Sequence, residues 1–148
     1  MNTTTANISA ESEIRALMDS WTQAFLAKDL DGIMAHYSPD IVAFDAILAL
    51  QVKGQEAYRE HWEKCFSFCQ GPIEFKLHDV NIVAGDDIAY SHSLSHCGGP
   101  NEQGDIQASW MRGTVCYRKL GGQWKIVHEH FSAPFDMETG KALFDLQP

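Results

Sequence analysis

A chain of 148 residues, of which 45% are hydrophobic, can bury a core of its own and is too apolar to be disordered by default. Its 11 basic and 20 acidic residues give a formal net charge of −9, and no basic stripe interrupts that balance. This argues against nucleic acid and anionic membranes as partners. No apolar run approaches the roughly 20 residues that a membrane-spanning helix needs.

The N-terminal residues and the cysteines indicate the compartment. MNTTTANISAESE has neither the basic nor the apolar region of a signal peptide, and we expect residues 1–8 to be flexible. Four cysteines form neither a disulfide framework nor a strong zinc pattern. They are Cys65, Cys69, Cys97 and Cys116. We therefore expect reduced thiols and a cytoplasmic protein.

The first predicted element is a long amphipathic helix. Apolar residues recur at steps of three and four along one stripe, which predicts a helix from about Ser9 to Lys28. These residues are Ile14, Leu17, Trp21 and Phe25. Ser9 can cap the helix, because its hydroxyl can accept a hydrogen bond from a free backbone N–H of the first turn.

Three shorter elements follow. The run DLDGIMAHYSPD repeats the helical pattern briefly and ends at Pro39. IVAFDAIL is rich in strand formers and encloses Asp45 in an apolar run. QEAYREHWEKCFSFC predicts another helix, with Tyr58 and Trp62 on one side.

From Pro72 onward the chain predicts four strands. They are IEFKLHDVNIV, IAYSHSLSH, IQASWMRGTVCYRK and QWKIVHEHFS. The turns between them are too short for helical crossovers, so these strands must pair antiparallel. Helices followed by a meander indicate one α+β domain over residues 1–148. A curved sheet with helices on its concave face encloses a pocket, and its convex face is left for a cover, which we expect to be a second copy.

The order of these elements resembles a known superfamily. Together with YSPDIVAFDAILALQVKGQEAYREHW and the closing GGQWKIVHEHFSAPFD, it resembles the nuclear transport factor 2-like superfamily, and within it the SnoaL-like branch of ketosteroid isomerase homologues. The resemblance covers roughly Ile14 to Asp136. It implies a cone-shaped, cystatin-like α+β fold, usually dimeric, with a pocket inside the cone. This fold hosts enzymes, binding modules and assembly domains alike.

The resemblance to ketosteroid isomerase implies a catalytic base. That enzyme uses an aspartate base with a tyrosine and a protonated aspartic acid as oxyanion donors. The base falls on Asp45, whereas the two donor positions hold Trp21 and Thr114. We therefore expect an aspartate base with a weaker oxyanion site, which argues against true steroid isomerisation.

Strand alternation predicts the remaining pocket residues. On the third strand it places Trp110, Arg112 and Thr114 on one face, which we predict to be the pocket face. On the last strand the resemblance points Val127, Glu129 and Phe131 inward. It points Trp124, Ile126, His128 and His130 outward.

These residues predict a cofactor-independent isomerase, hydratase or cyclase for a small apolar or amphipathic molecule, which can be anionic. Asp45 would be the base and Arg112 the anchor for an anionic group. Glu129 would be a second acid–base group or the ion-pair partner of Arg112. The substrate-binding residues would be Trp21, Trp62, Trp110, Thr114 and Phe131.

Two alternatives remain open. Histidines 128 and 130 could bind a metal with His78, His92 or His96, which would indicate a metal-dependent hydrolase. We favour hydrogen bonds of these imidazoles across a dimer interface or to surface carboxylates. The ending W-x-x-V-H-x-H-x-S is also similar to the association domain of calcium/calmodulin-dependent kinase, which indicates a ligand-binding or assembly module without turnover.

The C-terminal residues 134–148 form an apolar tail, FDMETGKALFDLQP after Pro134. A chain end with this many large apolar side chains is expected to dock rather than extend into solvent. We predict that it covers the pocket mouth or crosses the dimer, as a lid or as a strap.

Overall fold

The computed structural model describes residues 2–148, with side chains from Ser9 onward. Its elements in chain order are α1 (Asn2–Leu26), α2 (Leu30–Met34), β1 (Tyr37–Phe44), β2 (Val52–Lys53), α3 (Gln55–Ser67), β3 (Glu74–Ala84), β4 (Ile88–Pro100), β5 (Ile106–Leu120) and β6 (Gln123–Ser132). Helix α1 begins at Asn2, earlier than the predicted start near Ser9. The side chains of residues 1–8 lie outside the described part of the chain, so their flexibility stays a prediction.

The strands form one six-stranded sheet in the order β2-β1-β6-β5-β4-β3. The meander from β3 to β6 is antiparallel throughout, as predicted. Strand β1 adds to it in parallel with β6, and the short β2 pairs antiparallel with β1. The α+β fold, with the helices against one face of a curved sheet, is confirmed.

Strand β1 is shifted from its predicted position. It begins at Tyr37 and ends at Phe44, so Asp45 follows the strand instead of lying within it. The exposed Pro39 is tolerated because the pairing with β6 is irregular between Tyr37 and Val42, where a missing backbone N–H breaks no ladder hydrogen bond. Asp45 therefore lies in the loop that follows the strand.

The core lies between the helices and the concave face of the sheet. Helix α1 contributes Ile14 and Phe25, and α3 contributes Tyr58 and Trp62, all of them buried. Trp21 and Phe25 stack with their ring centroids 5.1 Å apart, and Phe25 meets Trp62 edge to face at 5.6 Å. This aromatic layer forms the floor between the helices and the sheet.

An irregularity in β6 changes which of its residues face the core. Cys116 pairs with His128 and Tyr117 with Ile126, so Val127 is an extra residue. As a result Ile126 is buried on the same side as Glu129. The prediction that Trp124 and Ile126 point outward is wrong, because regular alternation does not continue through a bulge.

No helix in the described part of the chain is long and apolar enough to span a membrane.

Candidate functional site

An apolar cavity of about 340 Å³ opens between the aromatic layer and the sheet. We call it the inner cavity. It is lined by Trp21, Phe25, Asp45, Ala46, Ile47, Trp62, Cys65, Phe66, Cys69, Ile73, Phe75, Ser95, Cys97, Gly98, Gly99, Met111 and Phe131. The predicted wall residues Trp21, Trp62 and Phe131 are therefore all in place. The volume lies at the lower end of the range of about 300–1,000 Å³ that is usual for ligand pockets.

Asp45 is the charged group in the wall of the inner cavity, and it has a partner that the sequence did not reveal. Its Oδ2 lies 3.1 Å from Nε2 of His61, and the two side chains are 13% and 7% exposed. The contact is close enough for an ion pair, but its angle is too poor for a hydrogen bond, so His61 Nε2 has no hydrogen-bond partner in the described structure.

Three thiols line the inner cavity. Burial raises the pKa of the Cys65 thiol to about 11, with a smaller contribution from the Asp45 charge. Burial, followed by the influence of Cys69, raises the pKa of Cys97 to about 11 as well. The Cys65 and Cys97 thiols are therefore neutral near pH 7. All four cysteines are free, in agreement with the predicted reduced state.

Glu129 lies in a buried network behind the aromatic wall. It is 1% exposed, and its Oε2 accepts hydrogen bonds from Tyr58 Oη at 2.6 Å and Tyr37 Oη at 3.1 Å. Tyr37 Oη in turn accepts a hydrogen bond from Trp21 Nε1 at 3.0 Å. The indole N–H of Trp21, predicted as a weak oxyanion donor, is therefore already engaged within the protein.

Burial raises the pKa of Glu129 to about 8, because the tyrosine hydrogen bonds only partly offset the loss of solvent and the Asp45 charge adds to the rise. Burial, together with the charge of Glu129, also raises the pKa of Tyr37 and of Tyr58 well above the ordinary tyrosine range. Glu129 lines a separate small chamber of about 50 Å³ and is not in the wall of the inner cavity.

Arg112 lies on the opposite face of the sheet from Asp45 and Glu129. It is exposed, and its Nε donates to Ser132 Oγ at 3.2 Å. The predicted pocket position of Arg112 and its ion pair with Glu129 are therefore wrong. The reason is strand phase: in β5 it is Met111 and Gly113 that line the cavities. The pocket has no cation from β5, so an anionic ligand loses its predicted anchor.

The same strand phase places two of the predicted substrate-binding residues, Trp110 and Thr114, on the outer face of the sheet. Trp110 packs against His96 on the outer face, with tilted rings whose centroids are 4.8 Å apart, and also meets His78 edge to face at 5.7 Å. Thr114 is exposed and pairs with His92 and His130 across the neighbouring strands. Neither residue lines the inner cavity, so their predicted place in the pocket is wrong.

His128 and His130 point outward, as predicted. His128 Nδ1 lies 2.7 Å from the backbone oxygen of Val42, and both imidazoles meet the ring of Phe44 edge to face. Within the described residues, no three His, Cys, Asp or Glu side chains are arranged to hold a metal.

The C-terminal tail folds back as a hairpin beside the mouth of the inner cavity. Phe135 bridges to Ala142, and the Leu143 N–H donates to the Pro134 oxygen at 2.7 Å. Ala142 and Phe144 line a wider outer space of about 920 Å³, which we call the vestibule. It is lined by Phe44, Asp45, Ala46, Ile47, Leu48, Ala49, Leu50, Gln51, Met111, His130, Phe131, Ser132, Ala133, Ala142 and Phe144.

The site contains residues that the sequence reasoning did not assign. His61 lies on α3 three residues after Tyr58 and one before Trp62, so all three face the core. That spacing was the available signal, because a polar histidine on a buried helical stripe needs a polar partner. Tyr37 and Tyr58 carry a comparable signal, because a buried tyrosine hydroxyl usually finds a hydrogen-bond partner.

Comparison with known families decides the relationship. A model of the SnoaL-like domain matches residues 14–136, which is most of the chain. The chain belongs to the SnoaL-like domain family. The boundaries agree with those that the resemblance predicted, and the tail that lines the vestibule lies beyond them. No curated protein matches this SnoaL-like chain.

Solved structures support the same assignment. An NTF2-like protein of unknown function from Pseudomonas putida KT2440 is 54% identical, with a TM-score of 0.90 over 95% of this chain and 98% of that one. A ketosteroid isomerase-like protein from Erwinia carotovora atroseptica SCRI1043 is 18% identical, with a TM-score of 0.69 over 82% and 94%. A cystatin-like protein of unknown function from Nostoc punctiforme is 16% identical, with a TM-score of 0.68 over 81% and 87%. The last two show the fold alone.

Proposed function

We propose that this SnoaL-like protein binds a small, neutral, apolar molecule in the inner cavity and moves a proton on it, as a cofactor-independent isomerase, hydratase or cyclase. The observation that carries the proposal is the position of Asp45: a carboxylate beside a buried histidine, in the wall of an otherwise uncharged cavity. A base with little water around it is suited to taking a proton from carbon.

Each group in the wall has a role in the proposed reaction. Asp45 takes a proton from the carbon next to a carbonyl group and returns it to another carbon of the same molecule. His61 positions the carboxylate. Trp62 lines the cavity, and its indole N–H is buried without a hydrogen-bond partner in the described structure, so we propose that the ring turns to donate to the carbonyl oxygen when the ligand binds. A single neutral donor makes a weaker oxyanion site than two strong ones.

A small cyclic enone tests this proposal. We expect the protein to accelerate conversion of 3-cyclohexen-1-one into 2-cyclohexen-1-one, followed by the ultraviolet absorbance of the conjugated product, with deuterium uptake in heavy water measured by NMR. Cys97→Phe should abolish the acceleration, because its ring would fill the inner cavity. The same enlargement at an exposed position, Ser67→Phe, should leave the rate within twofold.

The rival function is a binding module without turnover, and the engaged N–H of Trp21 favours it, because one expected oxyanion donor is lost. The same measurement separates the two functions. Binding of the enone, detected by quenching of tryptophan fluorescence, with only the buffer rate of conversion would contradict the catalytic proposal and support the binding module.

We also propose that the outer face of the sheet pairs with a second copy. Tyr90 is 46% and Phe44 39% exposed there, and the imidazoles of His128 and His130 meet the Phe44 ring edge to face. Aromatic residues on an exposed sheet face are typical of interfaces. We expect Tyr90→Asp to raise the dimer dissociation constant at least tenfold in sedimentation equilibrium. Leu26→Asp, an exposed leucine at the end of α1, is the control, and a wild-type monomer would contradict the proposal.

A further inference from the structure

The inner cavity and the vestibule share part of their walls. Asp45, Ala46, Ile47, Met111 and Phe131 line both spaces. The proposed base therefore lies where the two spaces meet and not at the closed end of either. A ligand whose reacting carbon sits at Asp45 has room on both sides of that carbon.

The two spaces differ in chemistry. Apart from Asp45, the inner cavity is lined by uncharged and mostly apolar groups, so it suits a compact hydrocarbon ring. The vestibule combines apolar surface with polar groups of His130, Gln51 and Ser132. It is also wider, at about 920 Å³ against about 340 Å³. It suits a flexible chain that is partly exposed to solvent.

Apolar residues at the vestibule are exposed to an unusual degree. Leu48 is 59% and Phe144 51% exposed, although both are large hydrophobic residues. Leu48 also has a φ of +69°, a conformation that costs a non-glycine residue energy and is often found at functional loops. The tail hairpin fixes the place of Phe144 on the other side. Two apolar side chains thus stand at the rim of the space next to the base.

We infer that the substrate is an elongated, neutral carbonyl compound, with a compact ring in the inner cavity, the carbon next to its carbonyl group at Asp45, and an apolar chain that extends into the vestibule against Leu48 and Phe144. This inference rests on the proposed function and adds the shape of its substrate. The apolar chain of the substrate contributes to the binding affinity because its own surface and the surfaces of Leu48 and Phe144 are removed from water.

Two ketones test the inference, cyclohexanone and 2-hexylcyclohexanone, with affinity measured by isothermal titration calorimetry. We expect wild type to bind the hexyl ketone at least tenfold more tightly. Leu48→Ser and Phe144→Ser should each lower its affinity at least fivefold and leave that of cyclohexanone within twofold. The matched controls are Leu120→Ser and Phe68→Ser, which change exposed residues outside the vestibule.

The outcomes are distinguishable. Equal affinity for the two ketones, or equal weakening of both in the rim variants, overturns the elongated substrate while the proposed function stands. No binding of either ketone overturns both. Chain-dependent binding without deuterium exchange next to the carbonyl supports the substrate shape and contradicts the catalytic function. If the rim variants dissociate a dimer in sedimentation, the vestibule is an interface between copies and the inference fails.

Discussion

Asp45→Asn is expected to lower the rate of 3-cyclohexen-1-one isomerisation at least 100-fold. Asparagine has the same shape as aspartate but cannot accept the proton that the reaction moves, and general base catalysis typically contributes about 10²- to 10⁴-fold. Affinity for cyclohexanone should change by less than threefold, because the wall of the inner cavity keeps its shape. Initial rates by ultraviolet absorbance, with affinities by calorimetry, measure the two effects separately.

Asp40→Asn provides the matched control for this result. Asp40 lies on β1 near Asp45 but is exposed, so the same change of charge occurs outside the cavity. We expect its rate to stay within twofold of wild type. A rate for Asp45→Asn within threefold of wild type, in protein with an unchanged melting temperature, would show that Asp45 is not the base.

The second large effect is expected at Glu129, in the dependence of stability on pH. Its pKa is about 8 in the folded protein, against 4.5 for an ordinary glutamate. At a pH between these two values, the carboxyl group therefore takes up a proton when the protein folds. Its contribution to the free energy of unfolding is complete below about pH 4.5 and is lost as the pH rises through about 8. At about 1.4 kcal/mol per pKa unit, the loss is on the order of a few kcal/mol.

Glu129→Gln should remove this pH dependence. Glutamine is neutral at every pH and keeps an oxygen that can accept the hydrogen bonds of Tyr37 and Tyr58. We expect the variant to lie within about 1 kcal/mol of wild type at pH 5 and to be more stable by a few kcal/mol at pH 8.5. Urea unfolding at several pH values and one fixed protein concentration measures the difference.

Glu102→Gln, at an exposed position, is the control for Glu129→Gln. Its difference from wild type should not change between pH 5 and pH 8.5. If the difference between Glu129→Gln and wild type is also constant over this range, Glu129 is not a buried acid with a raised pKa. Tyr37 and Tyr58 would then surround a carboxyl group whose pKa is that of an ordinary glutamate.

The sequence was sufficient for the architecture because architecture follows from local periodicity. The stripe of Ile14 and Phe25 marks a helix by its spacing alone, and short turns force the strands after Pro72 to pair antiparallel. The family resemblance then located Asp45 and the inward direction of Glu129. What the sequence analysis did not supply was the pairing of β1, whose parallel ladder with β6 joins residues about 90 positions apart.

The candidate site was predictable only in part, because a sequence does not show which face of a strand is buried or how the residues of neighbouring strands pair. A strand pattern shows that Arg112 and Gly113 face opposite sides but not which side is the interior, and the wrong choice moved Arg112, Thr114 and Trp110 together. The bulge at Val127 is likewise invisible in the sequence, since it depends on pairing with β5.

What the sequence by itself determined is an acidic α+β chain with an aspartate in an apolar run and aromatic residues on two helices. Only the tertiary structure decided that His61 lies against Asp45, and that two tyrosines, rather than Arg112, hold Glu129. The physical reason is that an ionisable side chain takes its chemistry from groups within a few ångströms. Those groups come from distant parts of the chain, and folding alone brings them together.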